Sequence, residues 1–451
     1  MRDLIASFVL AVIILFTVFN WAGVTPREWS FTLVAICLLS LFVWLSRAAN
    51  ALAPPLSPAL SLMAAALFVY VGFQLVPMPL GWLRILSPNR FEIVQMLAPI
   101  HNQAWAPLSV SPQLTFAQLL RLLGYFLVFC LTRELGFQLQ NRLWVVIAPL
   151  FLVASVESSI GLVQHFTTGD YGMGTYANHG HLAGLLEMVL PLALIMIPIC
   201  LRAKRTGIES TGSVAIVCAL VACSALILIG LLYTSSRMGL AAAAVSMVVL
   251  AILALRSGGK RTYAVFVAAA ALVFLLVSAP LSLVSRYEPG LTTEVRLQIW
   301  SDTLKLIAHY PVFGCGLGAF VSAVQKYRAA TPLALVDYAH DDYLQLFAEL
   351  GVAGFLLVTG LGVTVVRGIL RTLRNESHQP ARLLAMACAA SLAAIAVHSL
   401  VDFQFYIPAN VMVAAWIAGI AHGIGLDVDR AARMEAARPS RDGADWVDAV
   451  P

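Results

Sequence analysis

Two pairs of ionisable residues stand at the ends of long apolar runs in this sequence. His340 and Asp341 directly precede the run that begins at residue 342, and His398 and Asp402 lie four residues apart around the end of the run 382–399. An imidazole beside a carboxylate can accept a proton, because the carboxylate orients the ring and balances the charge that it acquires. We therefore predict that His340 is a general base, that Asp341 or Asp402 orients it, and that His398 supports the site.

Three arginines could bind an anion near these pairs. Arg237 lies in a very short turn between two apolar runs, and Arg286 and Arg296 lie in the longest polar stretch, residues 281–341. A guanidinium matches the oxygens of a phosphate with two parallel hydrogen bonds. These positions predict an anion site formed by Arg237 and Arg296, with Arg286 as a further candidate for the same role.

Further polar residues lie within or beside the apolar runs, where polar side chains are costly and tend to be functional. They are Glu157, Gln164, His179, His181 and Glu187. Of these, Glu157 and His179 are predicted to support the site. Arg121 is the one basic residue deep within a run, and it either pairs with Glu157 or Glu187 or has a structural role.

Asp341, Gln345 and Glu349 recur every fourth residue and therefore share one face of a helix. This polar stripe either supports the site through Glu349 or is buried against neighbouring helices.

The composition predicts an all-α polytopic integral membrane protein. Of its 451 residues, 60% are hydrophobic and only 11% are charged, less than half of the roughly 25% that soluble domains carry. A helix of about 20 apolar residues crosses a bilayer and satisfies its own backbone hydrogen bonds. The predicted spans are residues 4–24, 31–46, 59–77, 115–132, 141–164, 179–201, 213–233, 236–255, 263–280, 342–366, 382–399 and 403–424.

These spans predict a single transmembrane domain at residues 1–424. It contains a large extracytoplasmic loop at 281–341 and is followed by a disordered cytoplasmic tail at 425–451. Within the loop, Leu297, Trp300, Leu304 and Ile307 recur at helical spacing and predict an amphipathic helix on the membrane surface. Residues 78–114 form a second long outer loop, which resembles a re-entrant or surface segment.

The basic residues predict the orientation, because Lys and Arg accumulate in cytoplasmic loops. With the N-terminus inside, fourteen of them lie on the inner side before the tail, and four lie in the shorter outer loops. The inner ones are Arg2, Arg47, Arg133, Arg142, Arg202, Lys204, Arg205, Arg256, Lys260, Arg261, Arg367, Arg371, Arg374 and Arg382; the outer ones are Arg27, Arg84, Arg90 and Arg237. Both termini are therefore predicted to be cytoplasmic, and the candidate residues can converge on one outward-facing cavity.

Other site types are not favoured. The net charge of +5 is spread over short loops and forms no basic face for nucleic acid. Residues 314–318 (GCGLG) lack the preceding strand of a dinucleotide site, so they predict a tight turn. Asp427 and Asp429 lie in a polar tail and predict a solvated charge cluster. His179 and His181 lack further ligands for a metal, so we predict neither a metal nor another cofactor.

Several motifs, taken in order, resemble the O-antigen ligase and polymerase family of bacterial inner-membrane glycosyltransferases, which are of the GT-C type. The most specific is a histidine, a small polar residue, nine residues and then Gly-x-x-Gly; here these are His340, Asp341, Gly351 and Gly354. Also similar are Ser236-Arg237, the run 294–320, Asn178-His179-Gly180-His181 and the run 398–403. Asp341 stands where Asn, Ser or Gln is commoner.

The resemblance implies transfer of a glycan from an undecaprenyl-pyrophosphate donor to an acceptor hydroxyl at the periplasmic side of the inner membrane. The acceptor would be another glycan chain, the lipid A core or a protein. Arg237 and Arg296 would then bind the pyrophosphate, and transfer would invert the anomeric centre without a metal. Ligase members favour Arg-x-x-x-Leu at the turn, whereas this chain has Leu240 one residue early. That difference favours a polysaccharide polymerase over a ligase.

Two other function classes remain open from the residues alone. A transporter or flippase for a lipid-linked glycan or small solute would also be almost wholly membrane-embedded, although its key charges are expected near the bilayer midplane. A peptidoglycan polymerase of the shape-and-division type would have fewer spans. Glycan transfer to an acceptor, rather than a change of sidedness alone, distinguishes the enzyme from a transporter.

Overall fold

The computed structural model describes residues 2–46, 53–139, 142–205, 212–256, 267, 293–328, 336–374 and 379–436. The helices are α1 (Arg2–Phe19), α2 (Pro26–Leu45), α3 (Pro58–Leu75), α4 (Leu80–Leu86), α5 (Pro88–Leu97), α6 (Pro112–Gln138), α7 (Leu143–Thr168), α8 (His179–Arg205), α9 (Gly212–Tyr233), α10 (Arg237–Arg256), α11 (Thr293–His309), α12 (Phe320–Ala323), α13 (Asp342–Arg374), α14 (Gln379–His398) and α15 (Pro408–Ala436). Two short strands, β1 (Met78–Pro79) and β2 (Trp105–Ala106), pair antiparallel. The prediction of an all-α membrane protein is confirmed.

Eleven helices in the described ranges are long and apolar enough to cross a membrane, namely α1 to α3, α6 to α10 and α13 to α15. Each corresponds to one predicted span, although α6, α13 and α15 extend six, eight and twelve residues beyond the predicted ends. The remaining predicted span, 263–280, lies outside the described residues apart from position 267. The last helix, α15, continues to Ala436, so residues 425–436 are helical rather than part of a disordered tail.

The most enclosed spans are α8, α14 and α15, which pack against one another at the centre of the bundle. Leu186 and Trp416 are fully buried there, and Trp416 donates its indole N–H to the carbonyl of Val146 at 3.0 Å. Helices α6 and α15 approach closely because Gly419 and Gly423 lie against the α6 backbone. Small residues allow such contacts between membrane helices.

Two segments between spans are joined at one end of the bundle. The first runs from β1 through α4 and α5 to β2, and the second comprises α11 and the residues up to Tyr327. Asn89 donates to the carbonyl of His309 at 2.9 Å, and Val110 N–H donates to that of Cys315 at 2.8 Å. The predicted surface segment and the predicted large loop therefore form one joint cap.

Helix α11 is the predicted amphipathic helix, and its two faces have different surroundings. Ile299 and Leu306 are buried in a cluster with Phe320. Of the predicted apolar stripe, Leu297 and Leu304 are exposed, whereas Ile307 packs against the buried cluster. Leu297 and Leu304 are therefore the residues of the stripe that are available to a membrane surface.

Helix α13 is interrupted at Gly351, which has a φ of 60°. The interruption frees backbone groups that pair with the preceding loop, because Val352 N–H donates to Pro311 at 2.9 Å and Cys315 N–H donates to Ala348 at 2.9 Å. A side chain at Gly351 would collide with the carbonyl of Val312. The first glycine of the Gly-x-x-Gly motif is therefore needed to dock this loop on α13.

Candidate active site

A carboxylate surrounded by three imidazoles forms the centre of the candidate site. Asp402 Oδ1 lies 3.6 Å from His340 Nδ1 and 3.8 Å from His181 Nε2, while Asp402 Oδ2 lies 3.9 Å from His398 Nε2. These distances exceed a hydrogen bond and are those of close electrostatic contacts. Residues from three separate parts of the chain therefore meet at one carboxylate.

Asp402 is held in place by the connection between α14 and α15. Its Oδ1 accepts from the backbone N–H of Phe403 at 2.9 Å, and its Oδ2 accepts from Gln404 at 3.4 Å. Burial by itself raises the pKa of Asp402, but the contacts with His340 and the positive charges that His181 and His398 can carry outweigh burial and hold the pKa well below its usual range. Asp402 is therefore a fixed negative charge.

A buried network of polar side chains holds the segments around Asp402 in place. His398 Nδ1 lies 2.9 Å from Glu187 Oε2, and both side chains are almost completely buried. Gln404 donates to the carbonyl of Gly180 at 3.1 Å and accepts from Asn410 at 2.7 Å. The first turn of α8 and the ends of α14 and α15 are thereby locked together around Asp402.

Of the three imidazoles, that of His340 is the most accessible. Its side chain is 19% exposed, compared with 6% for His181 and 1% for His398. The backbone of His340 is left-handed, with a φ of 51°, which directs the ring away from the α13 axis. The ring meets Phe403 edge-on at 4.9 Å, and Tyr338 stacks on the other side of Phe403 at 4.0 Å. His340 thus presents one imidazole edge to the outside.

Asp341 has a different contact from the one predicted as an alternative. Its Oδ1 accepts from the backbone N–H of Leu344 at 3.0 Å and so caps the start of α13. Burial raises the pKa of Asp341, and the backbone N–H groups of Leu344 and Tyr343 counteract part of that rise. The structure therefore places Asp402, not Asp341, against the His340 ring.

Glu349 belongs to a buried anchor for the glycine-rich loop. Its carboxylate accepts from the backbone N–H of Gly318 at 2.6 Å and of Phe320 at 3.3 Å, and from the Tyr406 hydroxyl at 2.6 Å. Gln345 donates to it at 3.2 Å. The polar stripe on α13 is thus buried, and the predicted tight turn at 314–318 is the loop that it holds.

Glu157 anchors another loop, the one between α7 and α8. It accepts from the backbone N–H of Thr175 at 2.8 Å and from the Thr175 hydroxyl at 2.6 Å. Gln164 accepts from the N–H of Gly174 at 2.8 Å in the same loop. His179, at the end of this loop, stacks on Tyr171 at 4.9 Å. Glu157 therefore holds the loop before α8, and His179 lies at the end of that loop.

Arg237 is the exposed first residue of α10. Ser236 caps this helix by accepting from Gly239 N–H at 3.1 Å. Gly239 in turn packs against Ala183, two residues beyond His181. The first turn of α10 therefore adjoins α8 two residues beyond His181, and the side chain of Arg237 is exposed there.

Arg296 lies in the first turn of α11 and is half-buried. Its Nε and the indole Nε1 of Trp300, one turn later, are buried, and neither has a hydrogen-bond partner among the described residues. Two adjacent donors without an acceptor suit an anion. The third predicted arginine, Arg286, lies outside the described residues.

Tertiary structure adds residues that sequence reasoning did not assign to the site. His181 was noted only beside His179, although it contacts Asp402, and Gln404 and Tyr338 were not singled out. The sequence feature that could have identified Gln404 and Tyr338 is their position, since Gln404 is two residues from Asp402 and Tyr338 is two residues from His340. Across the described ranges, no three His, Cys, Asp or Glu side chains form a group that could hold a metal ion.

Comparison with known families gives one match. The family model described as O-antigen ligase matches residues 222–359. The matched segment includes Arg237, Arg296, His340 and Glu349, and it ends before Asp402. No curated protein matches the chain.

Proposed function

We propose, on the match of residues 222–359 to the O-antigen ligase family model and on the motifs of the sequence, that this chain is a glycan transferase of the O-antigen ligase and polymerase family. It moves a glycan from an undecaprenyl-pyrophosphate donor to an acceptor hydroxyl at the periplasmic side of the bacterial inner membrane. The observation that carries the proposal is the accessible His340 imidazole, with its Nδ1 3.6 Å from the fixed charge of Asp402. This is the arrangement of an oriented general base.

The imidazole acts through its second nitrogen. Because Nδ1 faces Asp402, the carboxylate favours the tautomer that carries its proton on Nδ1, which leaves the lone pair of Nε2 for the acceptor hydroxyl. As the acceptor oxygen bonds to the anomeric carbon, its proton passes to Nε2 of His340. Asp402 stabilises the imidazolium that forms.

The other half of the reaction is loss of the lipid pyrophosphate. The bond between the anomeric carbon and the phosphate oxygen breaks, and the electron pair leaves with the pyrophosphate. Arg237 and Arg296 bind the negative charge that develops, which is the usual role of arginine at a phosphate leaving group. A single displacement of this kind inverts the anomeric centre and uses no metal.

Reconstitution tests the proposed activity directly. Full-length protein in proteoliposomes with a labelled lipid-linked glycan should produce labelled acceptor, and lipid A core and glycan acceptors supplied in separate reactions distinguish a ligase from a polymerase. Movement of the labelled donor between leaflets without any transfer would contradict the enzyme proposal and favour a flippase.

The proposed sidedness has its own test in cysteine labelling. Ala308 in α11 and Gln379 at the start of α14 are both exposed, and the charge bias places them on opposite sides. In a background without the seven native cysteines, Ala308→Cys should react with an impermeant maleimide in cells with an opened outer membrane. Gln379→Cys should react only after the inner membrane is opened. The reverse pattern would rule out a periplasmic site.

Arg237 should be required for activity because of its positive charge and because its guanidinium can donate two parallel hydrogen bonds. Arg237→Lys keeps the charge but loses the bidentate geometry, and we expect roughly a tenfold or larger loss of transfer, since each charge-assisted hydrogen bond contributes about 1.5–3 kcal/mol. Arg237→Ala should lose at least as much. Arg256, exposed at the opposite end of the same helix, is the control, and Arg256→Ala should retain the parent rate. Full transfer by Arg237→Ala at normal protein levels would exclude the pyrophosphate role.

A further inference from the structure

Arg121 is a charged residue within a span that the mechanism above does not use. It is the tenth residue of α6, which places it about 13 Å along the axis from the start of that helix. One of its N–H groups donates to the carbonyl of Val24 at 3.0 Å. A guanidinium has five N–H donors, so this one bond leaves most of its donors available.

The predicted carboxylate partners of Arg121 are engaged elsewhere. Glu157 binds Thr175, and Glu187 lies 2.9 Å from His398, so the predicted pairing with either glutamate is wrong. Among the described residues, no carboxylate lies within ion-pair distance of Arg121. A guanidinium in a helix of a membrane bundle is costly unless an anion or a functional role offsets the cost, and the described part of the chain supplies no anion for it.

The surroundings of Arg121 connect it to the candidate active site. Gln118, one helical turn before it, packs against Gly318 of the glycine-rich loop. On the other side lies Tyr338, whose ring stacks on Phe403 at 4.0 Å, and Phe403 meets the His340 ring at 4.9 Å. Burial raises the pKa of Tyr338, and the positive charge of Arg121 counteracts part of that rise. The charge of Arg121 therefore acts on a ring that is linked to His340 through Phe403.

The end of α6 that carries Arg121 is the same end at which the proposed reaction takes place. The first turns of α6 contact the glycine-rich loop, and that loop is held by Glu349 near the start of α13, directly after His340. Val24, which accepts from Arg121, lies in the connection between α1 and α2, so Arg121 lies at the level of the span ends on this side. An anion at this level lies at the membrane boundary, as the headgroup of a lipid does.

We propose that the Arg121 guanidinium binds the diphosphate of the lipid-linked donor, beside the aromatic pair formed by Tyr338 and Phe403. This inference rests on the proposed function and adds a third arginine to it. Arg237 and Arg296 bind the same diphosphate, and Arg121 positions it with donors that Val24 does not occupy. Its effect is on donor binding, because a guanidinium stays charged and cannot accept the proton of the acceptor hydroxyl.

Steady-state kinetics with the full chain in nanodiscs test the inference. Arg121→Gln should raise the KM for the lipid-linked donor about tenfold or more and leave the KM for the acceptor unchanged. Arg121→Lys should recover part of that loss, because it restores the charge without the fork. A fall in kcat alone, with the donor KM at the parent value, would overturn the inference.

The same helix provides a matched control. Arg133 is also partly buried, and its guanidinium donates to the carbonyl of Pro54 at 2.5 Å, so its removal breaks the same kind of contact about 18 Å further along α6. Arg133→Gln should leave the donor KM unchanged. An equal rise in both variants would show that Arg121 has only a structural role and would overturn the inference.

Direct binding separates this inference from the proposed function. Farnesyl diphosphate should raise the melting temperature of the parent protein more than farnesyl monophosphate does, and Arg121→Gln should abolish the difference while His340→Asn retains it. If the parent responds and Arg121→Gln responds equally, the inference fails and the proposed function stands. If the parent neither responds nor transfers glycan, the proposed function fails and the inference fails with it.

Discussion

His340→Asn is expected to lower the rate of glycan transfer by about 10²–10⁴-fold, the usual contribution of a general base, which corresponds to about 3–5 kcal/mol. Asparagine is the informative substitution because the backbone of His340 is left-handed, with a φ of 51°. Asparagine adopts that conformation readily, whereas alanine would add backbone strain. An asparagine amide cannot accept a proton at neutral pH, so the loss reports the chemistry rather than folding.

The measurement is single-turnover transfer in nanodiscs with saturating donor. His101→Ala is the control, since His101 is an exposed histidine on the segment between α5 and β2 and should retain the parent rate. Donor binding by His340→Asn should be unchanged. Transfer at the parent rate by the purified variant would show that His340 is not the general base. His398 would then be the next candidate, although its side chain is only 1% exposed.

Asp402→Asn is expected to lower transfer by about tenfold to a hundredfold. The substitution retains an oxygen for the Phe403 N–H that donates to Asp402 at 2.9 Å, but it removes the charge that stabilises an imidazolium at His340. A charge-assisted contact of this kind contributes about 1.5–3 kcal/mol, and the observed 3.6 Å separation can shorten when the ring is protonated. Rates at a fixed pH, with expression and melting temperature as controls, measure the effect.

The pH dependence provides a second readout for Asp402. Its pKa is held below the usual range because the surrounding histidines outweigh burial, so the carboxylate is already ionised above about pH 4 and its own protonation cannot cause an acid limb at pH 5–7. The rate of the parent should therefore show no loss caused by protonation of Asp402 down to pH 5. A rate that falls between pH 7 and pH 5 in the parent but not in Asp402→Asn would show that Asp402 itself takes up a proton in this range, and would contradict its role as a fixed charge.

The acidic residues in and around the site have two different roles. Asp402 faces the imidazoles, whereas Glu349 and Glu157 are used to hold loops by accepting backbone N–H groups. Glu349 holds the glycine-rich loop against α13, and Glu157 holds the loop that leads to His179 at the start of α8. Substituting these glutamates would therefore disturb the site through its loops rather than through proton transfer.

The sequence by itself determined the membrane fold and most of the candidate residues. Spans were predictable because a bilayer imposes one requirement, about 20 apolar residues with internally satisfied backbone, on every crossing segment. His340 and Asp402 were identified because each forms a His–Asp pair with a nearby residue at the end of an apolar segment. The capping of α13 by Asp341 was equally local, since it depends on three consecutive residues after it, yet sequence alone could not distinguish it from a contact with the ring.

Only the tertiary structure decided which of these residues meet. His181, His340 and His398 approach the same carboxylate, although the first is 221 residues from Asp402 in sequence and no local pattern relates them. The partners of Arg121 and Glu187 were also undetermined, because both pairings depend on the rotation of each helix about its axis. That rotation is set by the packing of small residues between helices, which a single sequence does not specify, and it is what turns dispersed polar residues into one site.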